Sequence, residues 1–354
     1  MTRPAAHKVA VACFGAGWVT THRHIPTMRE HGGYDVVCVA DRREERAREA
    51  AAQVKVDRYE QAEGVEQLSV RDGIDAITCG TAPFAHHRVI RSALEAGKHV
   101  LTEKPFTMTL EEGEELAAYA RECGLVLAVV HNFQFAPSVR RLRGWMEAGR
   151  LGRVRAIWAL QLSNPARRLP TWFDELPGGL FYDESPHLIY MARALAGAEL
   201  EPVSVTVHPS TRGLVNTPAQ IDAQMRAGEM PVSIQMNFEA PVSEWHVTVL
   251  GERGMALVDL FRDIAVFTPN DRDHHALDVI RSSAFASWHH WLGYLRSGPG
   301  HLAGRLRYGN DEVFSRFHDA IRSGTAPEGI SADDALAVLR VQHWILSAGG
   351  RILV

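Results

Sequence analysis

Short apolar runs alternate with longer amphipathic stretches over the first 130 residues. One of the stretches between the runs, from Arg42 to Gln53, is rich in Glu, Arg and Ala, which are strong helix formers. The runs themselves show little alternation, which is typical of strands buried on both faces of a parallel sheet. The runs are Val9–Phe14, Val36–Ala40, Ile74–Cys79, His99–Thr102 and Leu125–Val130. The pattern therefore predicts a doubly wound α/β domain over residues 1–130.

The pattern changes after about Phe135. A helix is predicted from Ser138 to Ala148, and several of the apolar stretches that follow alternate with polar residues, which indicates an antiparallel sheet with one open face. These stretches are Val154–Leu162, Pro202–Val207, Val232–Phe238, Trp245–Leu250 and Ala256–Leu260. Two final helices, Asn310–Ser323 and Ala332–Ala348, are expected to pack back on the first domain. Residues 131–354 are therefore predicted to form an α+β domain with an open, mostly antiparallel sheet.

Composition excludes several classes of protein. A chain of 354 residues is too long for one ordinary core, so two domains are expected. The net charge of -4 gives no overall basic surface for nucleic acid or anionic lipid. No apolar run reaches the length of a membrane span, and the N-terminus lacks the apolar run of a signal peptide. The four cysteines form no C-x-x-C pair, so neither zinc nor disulfides are expected and a cytoplasmic location fits best.

The Gly15-Ala16-Gly17 turn joins the first strand to a helix. Glycines at such a turn let the backbone approach a pyrophosphate, whose charge the helix N-terminus favours. Asp41 ends the second strand, 24 positions after Gly17, near the spacing at which a carboxylate meets the adenosine ribose. The alternatives are a tight turn that needs glycine for its own sake and an aspartate that caps the next helix. The combination favours NAD, whereas Arg42 and Arg43 leave NADP open.

Two further segments carry candidate catalytic side chains. Lys104 follows a strand, at the sheet edge where ligands of open α/β sheets bind, and a lysine there can stabilise charge on a substrate oxygen. Asp183 and His187 are four positions apart after Gly178-Gly179, so one helical turn would place them on the same face. A histidine can take a hydroxyl proton near neutral pH. The alternatives are a surface ion pair for Lys104, and a capping aspartate beside a packed histidine.

Several motifs occur together along the chain. They are Gly15-Ala16-Gly17, Asp41, Ala82-Pro83-Phe84-Ala85-His86-His87, Ala96-Gly97-Lys98-His99-Val100, Glu103-Lys104-Pro105, Asn132-Phe133-Gln134-Phe135, Gly178-Gly179 with Asp183 and His187, and Gly251-Glu252-Arg253-Gly254. This set resembles the glucose–fructose oxidoreductase / inositol dehydrogenase / rhizopine catabolism (Gfo/Idh/MocA) family over nearly the whole chain. The run from Ala96 through Glu103-Lys104-Pro105 is its most specific part.

The resemblance implies a Rossmann domain followed by a domain that binds substrate and whose sheet often mediates homodimer or homotetramer contacts. It implies an NAD(P)-dependent oxidoreductase that transfers a hydride between the nicotinamide and a secondary alcohol or ketone of a sugar, cyclitol or related polyol. Two alternatives remain open within the family. One is redox-neutral cleavage of a glycoside through transient ring oxidation, and the other is a non-enzymatic regulator that binds the dinucleotide.

The resemblance also assigns roles to individual residues. Lys104 is expected to contact the substrate, His187 to accept its proton, and Asp183 to support both. Arg167 and Trp172, on the loop before Gly178, are candidate substrate contacts, the plainer alternative being a solvated loop. The cofactor-binding set is expected to comprise Phe14, Gly15, Gly17, Trp18, Val19, Asp41, Arg42, Thr81, Ala82, Pro83, His87, Glu103, Lys104 and Asn132.

Four positions depart from the family pattern. Thr20 replaces a small residue of the glycine fingerprint, Ala82 replaces a threonine, and Gln134 stands where arginine is common. Glu184-Ser185-Pro186 replaces a spacer that usually contains glycine, and its proline is expected to affect how His187 is oriented.

Two other features are expected to have no direct part in catalysis. Adjacent side chains rarely converge on one ion, so the pairs His86-His87, His274-His275 and His289-His290 do not predict a metal site. Trp288 and Trp291 are expected to pack either in the core or in a subunit interface.

Overall fold

The computed structural model describes residues 8–350, which fall into two compact units. The first unit runs to Asn132 and includes Asn310–Leu339, and the second comprises Phe133–Gly309 and continues from Arg340. In chain order, the α-helices are α1 Ile25–His31, α2 Glu44–Val54, α3 His86–Glu95, α4 Leu110–Glu122, α5 Pro137–Glu147, α6 Leu180–Ala196, α7 Ala276–Leu302, α8 Asn310–Ser323 and α9 Ala332–Ala348.

The first unit is built on a six-stranded parallel sheet in the order β3-β2-β1-β4-β5-β6. The strands are β1 Val9–Phe14, β2 Tyr34–Asp41, β3 Tyr59–Gln61, β4 Ala76–Cys79, β5 His99–Thr102 and β6 Leu127–Val129. Strand order reverses between β1 and β4, which opens a crevice at the carboxyl ends of these strands where ligands of such folds bind. This is the predicted Rossmann arrangement, and the prediction is confirmed.

The core of the first unit explains why its strands read as continuous apolar runs. Ala12, Cys38, Ile77 and Val100 are fully buried because helices cover the sheet. Helix α8 belongs to this unit and contacts α1, and the Tyr34 hydroxyl donates a hydrogen bond of 2.5 Å to the carbonyl of Phe314 in α8.

The second unit contains a seven-stranded sheet in the order β13-β12-β11-β7-β10-β9-β8. Its strands are β7 Val154–Leu162, β8 Glu201–His208, β9 Gln220–Ala227, β10 Met230–Asn237, β11 Glu244–Gly251, β12 Gly254–Asp259 and β13 Ile264–Pro269. Only β7 and β10 pair in parallel, and the other neighbours are antiparallel.

One face of this sheet is covered and the other is open. Along β11, Trp245, Val247 and Val249 are buried, whereas the residues between them are half-exposed. Helix α6 packs against β7 and β10, and α5 packs against β12 and β13. The predicted open, mostly antiparallel sheet is confirmed. Among residues 8–350, no helix combines the length and the apolar character that a membrane crossing requires.

Candidate active site

The glycine turn after β1 depends on a close backbone approach to β4. Gly15 has φ +86°, and a Cβ there would lie 2.6 Å from the carbonyl carbon of Gly80. Thr20 begins a π-helical turn, Thr20–His24, and its buried hydroxyl donates a hydrogen bond of 2.6 Å to the Gly15 carbonyl. A Cβ on Gly80 would lie 2.6 Å from that hydroxyl. Thr20, which departs from the family fingerprint, therefore fits because Gly80 has no side chain.

Asp41 ties the glycine turn to the end of β2. Its Oδ2 accepts the Ala16 N–H at 3.0 Å, and its Oδ1 accepts the Arg43 N–H at 3.0 Å. Each carboxylate oxygen has two lone pairs, so one on each oxygen remains for a ribose hydroxyl. The N-cap of α2 is Arg43, so the reading of Asp41 as the helix cap is wrong. Arg42 and Arg43 are both exposed beside it.

The turn has the features that a dinucleotide needs. A Cβ on Gly17 would meet only the Gly80 carbonyl oxygen, at 3.8 Å, so the space beside Gly17 can admit a phosphate. The helical segment that starts after it directs its first N–H groups towards such an anion. Trp18 stands at this helix start, 47% exposed, with its ring stacked on His22 and the Arg23 guanidinium 5.1 Å from its centroid.

Glu103 lies directly after β5 and is paired with a histidine that the sequence did not single out. The Nε2 atom of the fully buried His24 lies 2.9 Å from Glu103 Oε1. Burial raises the pKa of Glu103, but the His24 hydrogen bond and the charges of His24 and Lys104 outweigh it, so the pKa is lowered. Glu103 Oε2 also accepts the Lys104 N–H at 3.2 Å. An ionised Glu103 therefore holds the backbone from which the Lys104 side chain extends.

His86 supports the same loop from α3. Its ring is fully buried, and its Nδ1 lies 2.8 Å from the Pro105 carbonyl oxygen, with Nε2 3.3 Å from the Thr81 carbonyl. Burial lowers the pKa of His86, whereas the backbone carbonyls that face its two ring nitrogens raise it less. His87, the predicted cofactor contact, directs its Nε2 to Glu115 of α4 at 2.6 Å. His86 thus connects the loop after β4 with the loop after β5.

The predicted cofactor residues of the first unit collect at one edge of its sheet. They follow the carboxyl ends of β1, β2, β4, β5 and β6, which meet at the same edge in a parallel sheet. Thr81 and Ala82 are half-buried and lead into a 3₁₀ turn, Pro83–Ala85. Asn132 is buried shortly after β6.

Helix α6 of the second unit carries Asp183 and His187 one turn apart, as their spacing predicts. Pro186 lies inside this helix and cannot donate the usual hydrogen bond to the Tyr182 carbonyl. The side chain of Gln342 supplies that bond, with its Nε2 2.7 Å from the Tyr182 carbonyl oxygen. The helix therefore continues through Pro186 to Ala196, and the spacer that departs from the family pattern keeps His187 on a regular helix.

His187 is held by an aromatic cluster. Its Nδ1 lies 2.8 Å from the Tyr190 hydroxyl oxygen, which also accepts the Phe133 N–H at 2.9 Å. The ring centroids of Phe133 and Trp245 lie 4.8 and 5.3 Å from that of His187. His187 is 8% exposed, so the orientation of its imidazole is set by these neighbours. The sequence signal for Tyr190 was its position three residues after His187, which a helix places on the same face.

The predicted substrate contact Arg167 pairs with a buried carboxylate. Its guanidinium donates to Glu184, which is 5% exposed and also accepts from the Gln161 amide. Trp172 is half-buried at the start of the 3₁₀ turn Phe173–Glu175. Asp174, in that turn, accepts hydrogen bonds from the Thr217 backbone and hydroxyl. The loop that contains Arg167 and Trp172 is therefore fixed by carboxylates at both of its ends.

Among residues 8–350, the histidine and carboxylate cluster that could hold a cation is Glu244, His246 and Asp259. The Arg262 guanidinium donates to both carboxylates. These bonds raise the pKa of Arg262. The positive charge at this cluster is therefore supplied by the protein itself.

Two family models match the chain. Residues 9–131 match the model described as an oxidoreductase family with an NAD-binding Rossmann fold, and residues 139–257 match the GFO/IDH/MocA C-terminal domain. The chain is 29% identical over 198 residues to scyllo-inositol 2-dehydrogenase (NAD(+)) of Bacillus subtilis, covering 56% of this chain and 57% of the relative. It is 31% identical over 222 residues to dTDP-3,4-didehydro-2,6-dideoxy-alpha-D-glucose 3-reductase of Actinomadura kijaniata, covering 61% and 65%.

The fold also matches solved structures over almost its full length. A variant of a 3-ketoreductase from Actinomadura kijaniata, solved with TDP-benzene and NADP, superposes with a TM-score of 0.74 at 20% identity. The match covers 97% of this chain and 98% of that one. In sequence, by contrast, the chain spans between about half and two thirds of the curated relatives it matches.

Proposed function

We propose that this chain, which belongs to the Gfo/Idh/MocA oxidoreductase family, transfers a hydride between a nicotinamide cofactor and a secondary alcohol or ketone of a sugar, cyclitol or related polyol. The relatives reported above act on an inositol and on a nucleotide-linked keto sugar. The observation that carries the proposal is the buried His187, held on Tyr190 one turn after Asp183, in a chain whose first unit has a dinucleotide turn and Lys104 at its sheet edge.

The residues of the glycine turn and Asp41 would hold the cofactor, which supplies or accepts the hydride when bound. Lys104 donates a hydrogen bond to the substrate oxygen, and its positive charge stabilises negative charge there. His187 accepts the hydroxyl proton when the alcohol is oxidised and returns it when the ketone is reduced. Asp183 contacts the substrate and supports His187.

This role requires one particular tautomer of His187. A proton can be accepted at Nε2 only if the neutral ring carries its hydrogen on Nδ1. Nδ1–H then donates to the Tyr190 oxygen, whose two lone pairs accept from His187 and from the Phe133 amide. The Phe133 amide has a fixed hydrogen, so it always donates to Tyr190 and holds the hydroxyl oxygen beside His187 Nδ1.

We propose NAD as the preferred cofactor because the Asp41 carboxylate repels a 2′-phosphate, with Arg42 and Arg43 as the groups that would accept NADP. We further propose a homodimeric or homotetrameric assembly. A cytoplasmic location is proposed because all four cysteines are free thiols.

The test is a screen of inositols, free sugars and nucleotide-linked sugars with NAD and with NADP, followed by absorbance of the reduced nicotinamide. We expect net formation of reduced cofactor with at least one polyol, and product analysis should detect the corresponding ketone. Product without net reduced cofactor would instead favour glycoside cleavage through transient oxidation. Cofactor binding without turnover of any compound would favour a regulatory protein, and either result would overturn the proposal.

A further inference from the structure

The start of helix α6, which carries Asp183 in its first turn, is capped by a side chain from a distant loop. Its own N-cap residue, Gly179, has no side chain that could accept a hydrogen bond from the helix. The Thr217 hydroxyl accepts the Leu180 N–H at 3.1 Å instead. Thr217 lies 37 positions later in the chain, in the loop between β8 and β9, and is 1% exposed. The first turn of α6 is therefore fixed from outside the helix.

This cap gives a physical reason for the second glycine of the Gly178-Gly179 pair. Gly179 has φ +55°, a backbone conformation that residues with a side chain rarely adopt. A Cβ at Gly179 would also collide with the Thr217 hydroxyl oxygen. The position therefore requires glycine for its backbone and for the space that the capping hydroxyl occupies, so Gly179 and Thr217 depend on each other.

Asp174 holds Thr217 in this place. Its Oδ1 accepts the Thr217 N–H at 3.1 Å and the Thr217 hydroxyl at 3.0 Å. The hydroxyl therefore donates to Asp174 while it accepts from Leu180, which uses both of its hydrogen-bonding capacities. Asp174 Oδ2 accepts the Val215 N–H of the same loop at 3.1 Å. Since Asp174 lies two positions after the candidate substrate contact Trp172, one carboxylate links the candidate substrate loop to the start of α6.

Helix α6 needs support at its first turn because Pro186 weakens the link to the following turn. Pro186 has no N–H, so the backbone hydrogen bond that would join it to Tyr182 is missing, and the side chain of Gln342 bonds to that carbonyl instead. Asp183 lies in the turn that the missing bond would have closed, and His187 directly follows Pro186. The direction of the Asp183 carboxylate relative to the imidazole therefore depends on contacts from outside the helix, and the cap at the amino end is one of them.

We propose that Thr217 is a positioning residue for the hydride transfer, because its hydroxyl fixes the first turn of α6 and thereby the direction of the Asp183 carboxylate. Asp174 serves the same purpose by orienting the Thr217 hydroxyl. A catalytic group that is displaced by about 1 Å can cost about 10²-fold in rate, so a loose first turn is expected to lower turnover. Cofactor affinity should change little, since none of the predicted cofactor residues bonds to Thr217 or Asp174. This inference rests on the proposed function, in which Asp183 contacts the substrate and supports His187.

The first test compares the kinetics of three variants with the substrate that the screen identifies. Thr217→Val keeps the shape of the side chain and removes the hydroxyl, whereas Thr217→Ser keeps the hydroxyl. Thr211→Val is the matched control, because Thr211 lies in the same loop and its hydroxyl bonds to Glu239. We expect Thr217→Val to lower kcat about tenfold and to change the KM for NAD by less than about twofold, with the other two variants within about twofold of the wild type. A wild-type kcat in Thr217→Val, or a Thr217→Ser that is equally impaired, contradicts the proposal.

The second test separates positioning from general structural damage. Thr217→Val is combined with Asp183→Asn, and kcat is measured for both single variants and for the double variant. If Thr217 acts through Asp183, the double variant should have the kcat of Asp183→Asn alone to within about twofold. A kcat lowered by the product of the two single effects would show independent roles and would reject the proposal. Asp174→Asn takes the place of Thr217→Val in the same cycle if circular dichroism shows that Thr217→Val does not fold.

The two levels of the argument fail in different ways. A wild type that turns over no compound of the screen removes the proposed function and this inference with it. An active wild type whose Thr217→Val and Asp174→Asn variants keep the wild-type kcat removes this inference alone and leaves the proposed function in place.

Discussion

Replacing Tyr190 with Phe removes one oxygen atom and should affect turnover more than substrate affinity. That oxygen accepts the Phe133 N–H at 2.9 Å and contacts His187 Nδ1 at 2.8 Å. Without it, the Nδ1–H tautomer loses this hydrogen bond, and the fraction of enzyme ready to accept a proton falls. We expect kcat to fall about tenfold, which corresponds to about 1.4 kcal/mol of transition-state stabilisation, with KM changed by less than about twofold.

Stability should fall as well, and a matched variant separates the two effects. A buried donor left without a partner costs about 1–3 kcal/mol, so Tyr190→Phe is expected to lower the free energy of unfolding by that amount. The control is Tyr308→Phe, because the ring of Tyr308 packs 5.6 Å from that of Phe133 and its hydroxyl bonds to the Phe261 carbonyl at 3.2 Å.

Steady-state kinetics and urea unfolding are measured on both variants with the substrate that the screen identifies. We expect only Tyr190→Phe to lower kcat, although both variants lose stability. Equal kcat values in Tyr190→Phe and the wild type would refute the role assigned to the Tyr190 hydroxyl.

Three further results are expected. Lys104→Ala and His187→Ala should each lower turnover by orders of magnitude while NAD still binds, as followed by quenching of tryptophan emission, and near-normal turnover in both would exclude the mechanism. Gln342→Leu should lower the free energy of unfolding by about 1–3 kcal/mol in thermal or urea unfolding because the Tyr182 carbonyl loses its donor; an unchanged stability would mean that the helix does not need this bond. The pKa of Glu103 is lowered by folding, so its contribution to stability is present above its ordinary pKa of 4.5 and is lost as pH falls through the folded value. As pH falls, the free energy of unfolding of the wild type should therefore decrease more steeply than that of Glu103→Gln. Parallel pH profiles of the two proteins would contradict this.

Local patterns predicted much of the fold. Strand β7 and helices α8 and α9 begin and end where the sequence pattern placed them. Strand β3 was missed because it has three residues, too few to show a period. Strand β9 was missed because two of its four inward-facing residues are alanines, which favour helices over strands. Helix α7 was missed because its exposed side and its inner contacts are both apolar, and because Gly298-Pro299-Gly300 resembles a turn. Trp288 and Trp291 lie on the exposed side, so the part of the expectation that placed them in the core is wrong.

The sequence predicted those parts of the candidate site that lie within single motifs. Lys104 and His187 stand in recognisable local contexts, but the groups that orient the site come from distant parts of the chain. Gln342 bonds to a carbonyl 160 positions earlier, and His24 bonds to a carboxylate 79 positions later. No local period encodes such pairs, because they depend on which faces meet after folding. The assignments of individual residues to cofactor and substrate remain predictions.

The contact between Thr20 and Gly80 makes two positions of the nucleotide-binding turn interdependent. A larger residue at position 80 collides with the threonine hydroxyl, and a glycine at position 20 leaves the Gly15 carbonyl without its donor. A replacement at position 20 alone, or at position 80 alone, is therefore expected to be harmful. Redesign of this turn towards the common glycine fingerprint must change positions 20 and 80 together.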